Sequence, residues 1–240
     1  MARAGIQLYS LRDVDLPFDE LLGRVADAGF EGVEFAYRVR DEEADAVASA
    51  LEEEGLEAGG AHVSIGDLED DFEDTVAFYD AIDCHEIVIP SLPGECFQSQ
   101  DAIEQVADRV EGIAAELADH DMRLHYHNHL QEFVDLDGTS GFHRFIDATE
   151  IGIEIDVGFI VQTDYDAVEL IESLGDRATL VHLKDTSPET GESVPLGEGA
   201  VDVEAVLGAC EAGPTEWVFY EYEMDDPLAT LSNAATVMRG

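Results

Sequence analysis

Acidic, imidazole and amine side chains recur at every second position in four short apolar runs in the second half of the chain. They are His125, His127 and His129; Glu154 and Asp156; His182 and Lys184; and Glu221 and Glu223. Side chains two apart in a strand point to the same face, so each run has one polar face if it is a strand. Carboxylate oxygens and imidazole nitrogens that meet at one point suit Mn2+, Mg2+, Co2+ or Zn2+. The spacing therefore predicts a divalent-metal site.

Lysine usage points to the same place. Lys184 is the single lysine among 11 basic residues, in a chain with 56 acidic ones. It stands at the end of an apolar run, two residues after His182. A surface position is the simple alternative. We interpret the lysine instead as a site group that stabilises an oxyanion or donates a proton.

Eight apolar runs, each followed by a stretch of helical periodicity, must position these groups. The runs are Gly5–Ser10, Gly32–Ala36, Ala58–Ile65, Glu86–Leu92, Arg123–His129, Ile151–Phe159, Ala178–Asp185 and Glu216–Glu223. Eight strand–helix alternations in 240 residues predict a (β/α)8 TIM barrel, a single domain over residues 1–240, with its site at the C-terminal ends of the strands. An open doubly wound sheet is the alternative, which the lack of a GxGxxG motif after the first run weakens.

The formal net charge of −45 restricts the environment and the partners. An apolar content of 45% argues against disorder, so the charge indicates an acidic surface that is screened at high salt, as in a halophile. The same charge opposes binding to nucleic acid or an anionic membrane. The N-terminus lacks the pattern of a secretory signal, and three cysteines without paired spacing fit a reducing cytoplasm. The sequence leaves a homo-oligomer open.

Four segments resemble one known family, the xylose isomerase-like barrels that include sugar phosphate isomerases and epimerases. They are Tyr126–Phe133 (YHNHLQEF), Ile153–Asp156 (IEID), His182–Asp185 (HLKD) with the following Pro195–Gly199 and Asp202, and Glu221 at the end of the last run. The resemblance extends over essentially the whole chain. Phe159 stands where many relatives have tryptophan.

The resemblance implies a function and a set of roles. Asp156, His182 and Glu221 would bind the metal, with Glu132 as the fourth ligand and His127 as its competitor. The implied reaction is metal-dependent isomerisation or epimerisation of a keto-sugar or polyol-derived substrate through an enediolate. Glu221 would act as acid and base together with Glu132 or His127, and Lys184 would stabilise the oxyanion.

Further residues and rival functions remain open at this stage. Glu34 and His62 near early strand ends, and His129, are candidates for substrate binding. Glu154 is either a neighbour of the ligands or a buried ion-pair partner. The resemblance also admits a dehydratase of the inosose dehydratase type and a non-catalytic sugar-binding barrel. The family's endonuclease branch needs a basic groove, which this composition disfavours.

Overall fold

Eight parallel strands close into a barrel in the computed structural model, which describes residues 2–240, with the side chain of Tyr37 left out. The strands are β1 Arg3–Gln7, β2 Gly32–Phe35, β3 Glu57–His62, β4 Glu86–Ile89, β5 Arg123–His127, β6 Gly152–Asp156, β7 Leu180–Leu183 and β8 Trp217–Tyr220. Each strand pairs with the next along the chain, and β8 pairs with β1. This closure confirms the predicted (β/α)8 barrel and excludes the open sheet.

Helices follow the strands and cover the barrel. They are α1 Phe18–Ala28, α2 Ala44–Glu54, α3 Ile65–Asp70, α4 Phe72–Ala81, α5 Gln100–Ala118, α6 Gly141–Ala148, α7 Val157–Ile160, α8 Ala167–Leu174, α9 Val203–Ala212 and α10 Leu231–Arg239. In α1, Phe18, Leu21, Leu22 and Val25 are all buried, as their helical spacing predicts. Two short hairpins, Asp135–Leu136 with Thr139–Ser140 and Asp185–Thr186 with Ser193–Val194, lie outside the barrel.

The predicted apolar runs extend beyond the C-terminal ends of the observed strands. The first was expected to reach Ser10, but β1 ends at Gln7 and Leu8–Leu11 form a 3-10 turn. The sixth was expected to reach Phe159, but β6 ends at Asp156, whose carboxylate caps the short helix α7. Apolar residues just past a strand pack on the core as well as strand residues do, so hydrophobicity alone does not locate the turn.

Aromatic side chains fill the lower part of the barrel interior. Trp217 and Phe219 on β8 form a buried cluster with Val88 and Leu180, separate from the main core. Glycines on β1, β2 and β3 make room for these rings across the barrel interior, since a Cβ at Gly32 would lie 2.4 Å from Trp217. The polar end of β8, at Glu221, therefore stands above a closed hydrophobic floor.

Membrane insertion was not expected from the sequence. Across residues 2–240, none of the helices has both the length and the apolar character that crossing a bilayer requires.

Candidate metal centre

Four side chains converge at the mouth of the barrel from four consecutive strands. His127 ends β5, Asp156 ends β6, His182 lies in β7 and Glu221 directly follows β8. One donor atom from each lies within 4.8 Å of every other, and all four residues are buried. The closest approaches include 3.2 Å from His182 Nδ1 to Glu221 Oε2 and 3.5 Å from His127 Nε2 to Asp156 Oδ2. The structure thus brings Asp156, His182 and Glu221 together, as the strand pattern predicts.

Local hydrogen bonds aim Asp156 at this point. Its Oδ1 accepts from the backbone N–H groups of Gly158 at 2.8 Å and Phe159 at 3.3 Å. Asn128 holds its main chain: Asn128 Oδ1 accepts from the Asp156 N–H at 3.0 Å, and Asn128 Nδ2 donates to the Asp156 carbonyl at 3.3 Å. The other carboxylate oxygen, Oδ2, is left for the cluster. Nothing in the sequence predicted this role of Asn128 beyond its place in the YHNHLQEF segment.

Unpartnered atoms at the cluster test whether a cation fits. Asp156 Oδ2 and His127 Nε2 are buried and have no hydrogen-bond partner among residues 2–240. Buried polar atoms normally have partners, because a missing one costs about 1–3 kcal/mol. Two carboxylates and two imidazoles form a donor set that divalent metals accept. The residues present therefore fit a divalent metal ion.

His182 is oriented by a carboxylate below the mouth. Its Nε2 lies 2.6 Å from Glu34 Oε2, which also accepts from Gln7 Nε2 at 2.5 Å. Burial lowers the pKa of His182, but Glu154, Glu34 and Glu221 outweigh burial and raise it, so without a metal both ring nitrogens carry protons. Glu34 would keep the proton on Nε2 when a metal displaces the proton from Nδ1, which faces Glu221. Carboxylates that bind the second nitrogen of a histidine in this way fix its tautomer and raise its basicity.

Glu34 belongs to a second buried group that also includes His62, Glu154 and His182. His62 Nε2 lies 2.9 Å from Glu154 Oε2 and 3.4 Å from Glu34 Oε2. Burial, with Glu154 as a second cause, raises the pKa of Glu34 to about 7. Glu34 is fully buried and accepts a hydrogen bond from Gln7, so the structure places this predicted substrate-binding residue beneath His182. Glu154 is buried and pairs with His62 and His182, which is one of the two roles that the sequence left open for it.

Glu132, the favoured fourth ligand, lies outside the four-donor cluster. Its Oε1 accepts from the Tyr126 hydroxyl at 2.5 Å, and its Oε2 accepts from the His129 N–H at 2.8 Å. Both oxygens thus hold the turn that follows β5. Of the two candidates that the sequence left, the structure puts His127 into the cluster.

Lys184 lies beside the cluster and is surrounded by carboxylates. Its Nζ is 3.6 Å from both Asp156 Oδ2 and Glu221 Oε2, and it donates to Glu223 in a shorter contact. The amine also sits 4.1 Å from the ring centre of Phe159. Burial lowers the pKa of Lys184, but the surrounding carboxylates outweigh burial and raise it, so the amine is protonated at neutral pH.

The two acidic donors differ in their electrostatics. Burial raises the pKa of Asp156 to about 6, and the positive charge of Lys184 keeps this pKa from rising further. Burial also opposes ionisation of Glu221, but Lys184 and His182 hold its pKa well below the usual range. Glu221 is therefore ionised at neutral pH, the only form in which a carboxylate can accept a proton, although its lowered pKa weakens it as a base.

A cavity of about 240 Å3 opens above the cluster, and we call it the metal chamber. Of the predicted substrate-binding residues, His62 and His129 line it, together with Lys184 and Glu221. Burial lowers the pKa of His129 to about 3, so its imidazole is neutral. Glu223 also lines the chamber and anchors Lys184. In the sequence, only the position of Glu223 two residues after Glu221 indicated that it would face the site.

Asp185 has the opposite parity to Lys184 and points away from the chamber. Its Oδ2 accepts from the backbone N–H groups of Gly197 and Gly199, both at 2.9 Å, and its Oδ1 accepts from those of Thr186 and Val201. It holds the loop after β7 in place.

Comparison with known proteins gives a consistent result. A family model described as xylose isomerase-like TIM barrel matches residues 22–239. An inosose dehydratase of Clostridium botulinum (strain Alaska E43 / Type E3) is 22% identical over 88% of this chain and 84% of its own. A sugar phosphate isomerase/epimerase from Parabacteroides distasonis has a TM-score of 0.82 at 19% identity, covering 98% of this chain and 93% of that one. A probable 3-DHS dehydratase from Bacillus anthracis has a TM-score of 0.83 at 17% identity, covering 100% and 99%.

Proposed function

The chain belongs to the xylose isomerase-like TIM barrel family, and we propose that it is a divalent-metal-dependent sugar isomerase or epimerase. Its substrate in this proposal is a keto-sugar or a polyol-derived ketone, and the reaction passes through an enediolate. The supporting observation is the convergence of His127, Asp156, His182 and Glu221 beneath a small cavity. Fold alone does not define a reaction, so the proposal rests on this site.

Each residue at the mouth has a role in the proposal. His127, Asp156, His182 and Glu221 would hold the metal, which supplies Lewis-acid polarisation of the substrate's oxygens when bound. Glu221 removes the proton from the carbon next to the carbonyl, since it is the carboxylate that both belongs to the cluster and lines the chamber. Lys184 donates a hydrogen bond to the oxygen on which negative charge develops. Return of the proton by Glu221 to the neighbouring carbon, on the same face, gives isomerisation when the hydroxyl proton of that carbon also moves to the former carbonyl oxygen. Protonation of the original carbon on the opposite face gives epimerisation.

A dehydratase is the second candidate. The same enediolate can expel a hydroxyl group from the β-carbon, and loss of hydroxide needs an acid. Lys184 is protonated at neutral pH and lines the same chamber, so it can donate a hydrogen bond to the departing hydroxyl, while the proton that Glu221 took from carbon leaves with that hydroxyl as water. Two of the similar proteins are described as dehydratases, which favours this reaction as the alternative.

The test is a screen of the metal-loaded protein in molar salt and deuterated water against keto-sugars and inososes. Deuterium uptake into substrate is expected, and enone absorbance would identify dehydration. Glu221→Gln keeps the shape of the side chain but removes the base, so uptake should fall to background. The matched control is Glu216→Gln at the opposite end of β8, which should exchange like the wild type. Unchanged exchange in Glu221→Gln would remove its assigned role, and binding without any exchange or elimination would indicate a sugar-binding protein.

A further inference from the structure

A second cavity, of about 340 Å3, lies on the other half of the barrel mouth, and we call it the outer chamber. It is formed by the ends of β2 and β3 and by α3 and α4. Its polar lining comprises Arg40, Ser64, Asp67, Thr75 and Tyr79. Tyr9, His62 and Pro90 line both chambers, so the two cavities share a wall. None of the four metal-cluster residues contributes to the outer chamber.

The shared wall places the outer chamber next to the proposed chemistry. The His62 ring lies 5.2 Å from that of His127 and 5.3 Å from that of His182, measured between ring centres. The Nε2 of His62 is held from below by Glu154. A ligand long enough to extend from the metal chamber past His62 would reach the outer chamber.

Thr75 indicates that this chamber binds a polar ligand. The residue is 1% exposed, and its Oγ1 has no hydrogen-bond partner among residues 2–240. A hydroxyl both donates and accepts, and a buried one normally finds a partner. Thr75 lies in α4, whose inner face forms one side of the chamber. A hydroxyl group of a ligand would supply the missing partner.

The charges of the lining favour a neutral ligand. Arg40 already faces Asp71, at 3.6 Å between its Nη2 and the carboxylate, and stacks on Phe78 with its guanidinium 4.9 Å from the ring centre. Asp67 adds a negative charge to the same chamber. One guanidinium balanced by two carboxylates does not favour a phosphate, whereas donors and acceptors in similar number suit hydroxyl groups.

We propose that the outer chamber binds the hydroxylated end of the substrate that lies remote from the carbonyl. The inference rests on the proposed function for the identity of the ligand in the metal chamber. It defines the substrate class more closely, as a neutral polyhydroxylated ketone with several hydroxyl-bearing carbons beyond the reacting pair. Thr75 then acts in specificity and takes no part in proton transfer.

The first test uses D-sorbitol, a neutral polyol that cannot react, and measures its binding by ligand-observed NMR and calorimetry with the Mg2+-loaded full chain. Thr75→Val replaces a hydroxyl by a methyl group of similar size and should weaken binding about two- to tenfold, as expected for one neutral hydrogen bond. Thr75→Ser should restore it. Thr179→Val is the matched control, because Thr179 Oγ1 is also buried and unpartnered but does not line this chamber. It should bind sorbitol like the wild type.

Several outcomes would overturn the inference. These are undetectable sorbitol binding by the wild type, equal binding by Thr75→Val, or an equal loss in Thr179→Val. Tenfold tighter binding of sorbitol 6-phosphate than of sorbitol would contradict a neutral ligand. Because sorbitol binding requires no turnover, absence of isomerase and dehydratase activity with binding intact would reject the proposed function and leave the chamber's role standing. With an active keto-sugar, Thr75→Val should raise KM and leave kcat unchanged.

Discussion

His127 Nε2 and Asp156 Oδ2 lie 3.5 Å apart at the mouth of the barrel, and neither atom has a hydrogen-bond partner within residues 2–240. His127 Nδ1 lies 3.3 Å from the Pro90 carbonyl oxygen, and Asp156 Oδ1 accepts from the Gly158 N–H at 2.8 Å, so contacts on the far side of each group hold the facing atoms in place. A small cation between them would satisfy both atoms at once. This pair favours His127 over Glu132 as the fourth metal ligand.

We predict that His127→Ala lowers metal affinity more than Glu132→Gln does. Loss of a ligand should exceed the roughly 10–100-fold effect typical of residues that only support ligands. Glu132→Gln should instead lower stability, because Glu132 accepts hydrogen bonds from Tyr126 and from the His129 backbone. Chelator competition measures affinity, and denaturant unfolding measures stability. The reverse order of affinities would restore Glu132 as the ligand.

Glu34→Gln tests whether a buried carboxylate supports His182. The amide keeps an oxygen that can accept from His182 Nε2 but removes the negative charge that strengthens Nδ1 as a ligand. We expect metal affinity to fall about tenfold. A shift in the visible spectrum of the Co2+ form should accompany the loss. Glu31→Gln, an exposed neighbour, serves as the control, and affinity equal to wild type in Glu34→Gln would show that the charge is not needed.

Replacement of Lys184 should have opposite effects on catalysis and on metal binding. Lys184→Met removes the donor to the developing oxyanion, so kcat should fall about 100- to 1,000-fold. It also removes a positive charge 3.6 Å from oxygens of Asp156 and Glu221, so metal should bind more tightly. Steady-state kinetics and chelator competition on one preparation separate the two effects. Weaker metal binding in Lys184→Met would argue that the lysine only maintains the structure.

The bottom of the barrel should determine part of the acid stability. Burial would raise the pKa of Glu86, but hydrogen bonds from His125 and Arg123 outweigh burial and lower it below its usual 4.5. A carboxyl group whose pKa is lowered by folding contributes stability above its unfolded pKa and loses it as pH falls through the folded pKa. Unfolding free energies measured below pH 5 should therefore fall less steeply for Glu86→Gln than for the wild type.

The control for the acid series is Glu216→Gln. Glu216 pairs with the same Arg123, but its side chain is 44% exposed and solvent screens the pair. Below pH 5, the unfolding free energy of Glu216→Gln should change with pH as that of the wild type does. Parallel profiles for Glu86→Gln and the wild type would show that the hydrogen bonds of Glu86 to His125 and Arg123 contribute nothing to acid stability.

The sequence alone determined the barrel and three of the clustered donors. Eight strand–helix repeats predict closure, and the two-residue alternation predicts that Asp156, His182 and Glu221 share the inner face. Alternation is a local property of an extended backbone, so it can be read without knowledge of the rest of the fold. The same parity separated Lys184, in the chamber, from Asp185, which holds the following loop.

Tertiary structure alone decided the fourth donor, the position of Glu34 and the existence of the outer chamber. Glu132 follows the end of β5, where the chain turns and alternation no longer applies, and its direction is set by contacts with Tyr126 and His129. Glu34 and His182 are 148 positions apart and meet only because the barrel closes. Thr75 reaches the chamber because α4 and the ends of β2 and β3 border the same cavity. Such long-range contacts depend on closure and packing, which local sequence patterns do not encode.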